Sequence, residues 1–129
     1  MNRFYLSLGT ATLIAISIGM AGAKDKPSEA FLKKAIEGNY AEVSMGELAQ
    51  KNGQSDGVRS FGKMLSTDHA AANQKALDAA KGMGMNPPSG PNAKQKADND
   101  KMAKMSGTDF DKTFATHMVA DHQKRYLRV

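Results

Sequence analysis

Two Asp-His dipeptides, Asp68-His69 and Asp121-His122, hold two of the three histidines in the chain. The third, His117, stands four residues before Asp121. Imidazole and carboxylate are ligand types that suit zinc, iron, copper or nickel. A metal centre built from this sequence uses His69 and His122, with Glu42 and one or both of Asp68 and Asp121. In such a centre the aspartates also suit an outer role, fixing the tautomer of a histidine on a neighbouring helix. The competing arrangement is a metal-free network in which each imidazole bonds a carboxylate, since buried polar groups need partners in either case. His117 and Asp121 read as a surface pair, worth a few tenths of a kcal/mol. Glu42 shares a helix face with Ala35, Asn39, Met45 and Ala49, which leaves it either pointing inward or on a solvated rim.

These residues need helices to position them, and the spacing of apolar residues supplies three. Leu32, Ile36, Tyr40, Val43 and Leu48 recur at helical rather than alternating intervals, after Ser28 as a capping residue and before Asn52-Gly53 as a stop. This predicts a first helix over about 28–51. Ser55 and Asp56 suit the cap of a second helix, with Val58, Phe61, Leu65, Ala72, Ala76, Ala80 and Met83 as its buried stripe. Asp68 and His69 flank that stripe, but neighbours on a helix diverge by about 100°, so one points inward while the other borders the core. Residues 82–92 carry three of the four prolines and three glycines, and read as a linker. Within it, Met83 and Met85 suit a hydrophobic plug better than a copper site. A short polar helix over about 93–105 follows. Thr108 then suits the cap of a last helix, whose stripe runs through Phe110, Phe114, Met118 and Val119 into Asp121-His122.

The first residues read as a targeting segment. Arg3 is followed by an uncharged, mostly apolar run over 6–20 and by Ala21-Gly22-Ala23, a small-x-small cleavage pattern. The run falls short of the roughly 20 apolar residues of a membrane span. The expectation is a signal peptide over 1–23 and one domain over 24–129, which leaves 106 of the 129 residues after cleavage. That is enough for a single small core. With no cysteine, the exported protein has neither disulfides nor a lipid-modified N-terminal Cys. The net charge of +5 falls to +4 without Arg3, and the lysines are interleaved with acids. This describes a solvated helix surface rather than a nucleic-acid interface.

Taken in order, these motifs resemble a known family. Phe31, Ala35 and Glu42-Val43 precede Val58-x-x-Phe61 and Asp68-His69; Ser106-Gly107-x-x-Phe110-Asp111 then precedes Met118-Val119-x-Asp121-His122. The pattern is similar to that of small exported bacterial proteins with a ferritin-like fold, a domain of unknown function often labelled "predicted outer membrane protein". The resemblance covers residues 31–122 and implies an all-α, up-and-down four-helix bundle with polar residues of unproven role between the helices. Members continue past the second Asp-His into a further helix with another histidine. The expectation is therefore a bundle lacking its fourth helix, truncated at the C-terminus, with an uncovered apolar face that favours homo-oligomers.

No histidine has a carboxylate three residues before it, the positions being Ser66, Phe114 and Val119, so the Glu-x-x-His signature of di-iron bundles is missing. There is also no nucleophile elbow, phosphate loop or dinucleotide fingerprint. The sequence thus predicts a periplasmic, non-enzymatic binding or stress- and envelope-associated protein with no resident cofactor. The alternative is a metal-binding protein that uses inward-facing His and carboxylates with a divalent transition metal. The series of alternating strands that an outer-membrane barrel needs is missing.

Overall fold

A computed structural model describes residues 26–126, which form four helices: α1 (Lys26–Asn52), α2 (Asp56–Gly82), α3 (Ala93–Met102) and α4 (Gly107–Tyr126). The expected signal peptide lies outside the described residues. Helix α1 begins two residues before Ser28, so Ser28 is not its cap. Pro27 sits in the first turn, where a missing N–H costs nothing. Among the described residues, no helix is long and apolar enough to cross a membrane.

Helices α1 and α2 form a long antiparallel hairpin. Asn39 is bonded to His69 at the middle of both helices, and Gln50 to Ser66 nearer the turn. Gly46 and Gly62 bring the two backbones together. A Cβ at Gly46 would lie 2.5 Å from the Gly62 carbonyl oxygen, and one at Gly62 would lie 2.7 Å from the Gly46 carbonyl oxygen. The shorter helices close one end of this hairpin. Met45 and Ala49 of α1, Leu65 of α2, Met102 of α3, and Phe110, Phe114 and Met118 of α4 make one core cluster. Phe114 stacks on Phe110 at 5.7 Å and meets the edge of Phe61 at 5.9 Å.

The predicted stripes are only partly the buried ones. On α1, Leu32, Tyr40, Val43 and Leu48 are half-buried, and the deeply buried line is Ile36, Gly38, Glu42, Met45, Gly46 and Ala49. On α2, Gly62, Leu65, Asn73 and Ala80 are buried, whereas Ala72 is exposed and Phe61 sits at the edge. Val119 of α4 is exposed rather than packed. On α1 and α2 the cause is the glycine seam: two helices that nearly touch bury small and polar residues on the touching faces, and the larger apolar residues fall to the flanks.

The turns are tied by side chains. Ser55 caps α2 by accepting from the Val58 N–H at 3.3 Å. Asn92 and Gln95 form a reciprocal capping box at the start of α3. Thr108 does not cap α4; its hydroxyl donates to Gln54 Oε1 at 2.8 Å, and Gly107 turns the chain with φ +63°. Asn52 donates to the carbonyl oxygens of Ala103 and Met105, which fastens the end of α1 to the α3–α4 turn.

Asp111 makes the most directional of these ties. Its carboxylate accepts from the backbone N–H of Gln54 at 2.8 Å and of Ser55 at 2.9 Å, so α4 holds the N-terminus of α2. The Gln54 hydrogen bond is the main reason that its pKa lies below the ordinary 3.8, with the Ser55 bonds and the nearby Arg59 adding to it. A carboxyl with a depressed folded-state pKa adds stability above its unfolded-state pKa and loses it as pH falls through the folded one. Asp111→Ala is therefore expected to unfold at lower urea concentration than the wild type at neutral pH. The gap should close as pH falls below about 4. A gap that persists unchanged at low pH would contradict the role.

Candidate metal centre

Three of the five candidate ligands come together. Glu42 from α1, His69 from α2 and His122 from α4 each place one ligand atom within 4.8 Å of the others. Glu42 is 3% exposed, and its Oε2 lies 3.7 Å from Nε2 of His69, whose side chain is 20% exposed. A carboxylate at this depth is costly unless it is compensated by charge or hydrogen bonds.

The other nitrogen of each ring is taken. His69 Nδ1 lies 2.9 Å from Asn39 Oδ1, and His122 Nδ1 lies 2.8 Å from the Met118 carbonyl oxygen. A carbonyl oxygen only accepts, so in both rings Nδ1 carries the proton and donates it. In the neutral rings Nε2 then presents a lone pair. Two imidazoles and a buried carboxylate thus come together from three helices, with His69 Nε2 beside the carboxylate. This outer bonding is what orients and fixes the tautomer of metal-binding histidines. Zinc–ligand bonds of about 2.0–2.1 Å in a tetrahedron separate ligand atoms by about 3.4 Å. The observed spread closes to that with side-chain movements of about an ångström.

Asp68 and Asp121 stand outside the cluster. Asp68 is exposed, because the helical turn that sends His69 inward sends its neighbour out. Asp121 is part-exposed and lies 3.7 Å from His117 Nε2, as the four-residue spacing suggests. The outer acceptors are Asn39 and a backbone carbonyl instead. Asn39 was legible as a residue three before Glu42 on the same face. The Met118 carbonyl has no sequence signal beyond its place four residues before His122.

A cavity of about 270 Å³ opens beside the cluster, between α1 and the α3–α4 pair. Glu42, Met45 and Met118 line it, together with the His117–Asp121 pair. Lys94 stands on its wall and bonds Asp98 at 2.7 Å. That bond and the Asp98 charge hold the Lys94 ammonium above its ordinary pKa, and Asp121 adds to this.

Comparison with known proteins adds a family and no activity. The family model described as "Domain of unknown function (DUF4142)" matches residues 17–128. No curated protein and no solved structure matches the chain.

Proposed function

The chain belongs to the DUF4142 family of domains of unknown function, and on that premise we propose that it is a non-enzymatic binding protein for a divalent first-row transition-metal ion. Glu42, His69 and His122 are the ligands of this proposal. The observation that carries it is the gathering of one ligand atom each from Glu42, His69 and His122 within 4.8 Å, with His69 Nε2 3.7 Å from the buried carboxylate and both Nδ1 atoms already bonded elsewhere. A two-histidine, one-carboxylate set with further positions open suits zinc or iron(II). A ferritin-like arrangement of the four helices is part of the proposal and contributes no ligand, since the di-iron signature is missing.

The competing account is a proton network, favoured by the 3.7 Å approach of His69 Nε2 to Glu42. A protonated His69 makes that an ion pair. It gives His122 Nε2 nothing to do, however: that atom has no hydrogen-bond partner among the described residues. A metal ion uses all three groups.

Zinc titration of the purified protein by calorimetry tests the proposal. The wild type is expected to bind one ion, and His69→Ala, His122→Ala and Glu42→Gln each to bind at least about a hundredfold more weakly. Asp68→Asn and Asp121→Asn keep wild-type affinity, because neither carboxylate reaches the cluster. Unchanged binding in the two alanine variants, or none in the wild type, sinks the idea.

Export to the periplasm is part of the proposal, supported by Arg3, the apolar run and the small-x-small site, and cell fractionation checks it. Self-association through exposed apolar side chains is also proposed, supported by Met64 at 52% and Val119 at 56% exposure. Sedimentation is expected to show a concentration-dependent dimer that Val119→Lys weakens. A concentration-independent monomer would refute it.

A further inference from the structure

Asn73 is 5% exposed, and its Oδ1 meets no hydrogen-bond donor among the described residues. Such an oxygen loses its hydration on folding and recovers nothing, which native proteins rarely tolerate. Its position connects it to the metal centre. Asn73 stands four residues after His69, which places both on one face of α2, a single turn apart. Because α1 and α2 are antiparallel, the level that pairs Glu42 with His69 is followed, one turn along, by the level of Gly38 and Asn73. Gly38 is also buried and brings no side chain to that level. One turn of α2 beyond His69, the hairpin therefore carries a buried amide oxygen in need of a donor.

We propose that Asn73 belongs to the metal centre: its amide oxygen accepts a hydrogen bond from a water molecule bound to the metal ion at a position that Glu42, His69 and His122 leave open. The proposal rests on the metal reading above and extends it. A metal-bound water is a stronger donor than a free one, because the cation withdraws charge from its O–H bonds. Three protein ligands plus one water is the coordination pattern of open zinc sites. Asn73 is then a positioning residue, holding the water rather than touching the ion.

The test compares wild type, Asn73→Leu and Asn73→Asp by zinc titration, by the visible spectrum of the cobalt(II) form and by melting without metal. Leucine has a similar size but no acceptor; aspartate keeps an acceptor in the same place. Asn73→Leu is expected to melt without metal at or above the wild-type temperature, since it removes an unsatisfied oxygen. It should bind zinc about ten- to a hundredfold more weakly, as loss of an outer hydrogen bond does, and show an altered cobalt spectrum. Asn73→Asp should stay within a few-fold of wild-type affinity. Wild-type affinity and an unchanged cobalt spectrum in Asn73→Leu overturn the proposal while leaving the three ligands standing. If Asn73→Leu fails to fold, Asn73→Ala is read by the same two metal measurements. A wild type that binds neither zinc nor cobalt overturns the parent reading instead.

Discussion

Gly46→Ala is expected to lower stability by several kcal/mol, and Gly46→Val to abolish cooperative unfolding altogether. The added Cβ would lie 2.5 Å from the Gly62 carbonyl oxygen, 2.8 Å from the Ser66 nitrogen and 3.0 Å from Ser66 Cβ. Two of these are backbone atoms of α2, which no rotamer change can move aside. Gly62 meets the same obstacle from the other side, at 2.6 Å from Ala49 Cβ and 2.7 Å from the Gly46 carbonyl oxygen. Relief requires the helices to part, which also separates Leu65 and Met45 in the core and Glu42 from His69. Overpacking alone costs about 1–3 kcal/mol, and parting two 27-residue helices adds lost burial along their length. Against a total of about 5–15 kcal/mol for a domain, that is decisive.

The sign makes the result informative. In an exposed helix interior, Gly→Ala stabilises by about 0.5–1 kcal/mol through helix propensity. Gly57 has no atom within 4 Å of its added Cβ and serves as the internal control. Urea unfolding followed by circular dichroism should place Gly57→Ala above wild type and Gly46→Ala well below it. If both variants gain stability, the close approach of α1 and α2 is wrong.

Helix positions were readable because caps, breakers and the 3.6-residue repeat act locally. The first two helices ended where Asn52-Gly53 and Gly82 fall, and the linker with Pro87 and Pro88 carries neither helix nor strand. Faces were harder. Apolar residues indicate which side of a helix prefers the core, but the side of α1 that packs closest is chosen by absent side chains. Gly46 and Gly62 carry no hydrophobic signal, yet they draw α2 onto the face that holds Glu42. The same limit explains Ala72, which is apolar enough to count in a stripe and ends exposed. Within the candidate site, the choice between Asp68 and His69 needed the register of α2 against α1. Histidine identity was legible, and so was Glu42 as one of two options. The bonds that set the tautomers were not, since one comes from a neighbouring helix and the other from the backbone.

Saturating zinc is expected to raise the melting temperature of the wild type by ~15–30 °C. An ion that binds only the folded chain stabilises it by RT ln(1 + [L]/Kd), about 4.1 kcal/mol at a thousandfold excess over Kd. One kcal/mol shifts the melting of a domain of 60–100 residues by about 4–8 °C. The effect reaches the whole fold because the ligands lie on α1, α2 and α4, and because His122 is the last of them, within the final turns of α4. Without metal, that stretch of α4 lies beyond the packed Phe110, Phe114 and Met118, and His122 is bonded to the Met118 carbonyl of its own helix. A bound ion would clamp it to the hairpin. His122→Ala should therefore change the metal-free melt little and erase most of the zinc shift. His69→Ala should erase it as well, while Asp121→Asn keeps it. Acid weakens the shift, because protons compete with the ion for Nε2 of both rings and for the Glu42 carboxylate. A zinc shift of equal size in His69→Ala and His122→Ala would locate the ion elsewhere. A shift that grows toward acid would rule out imidazole as the ligand.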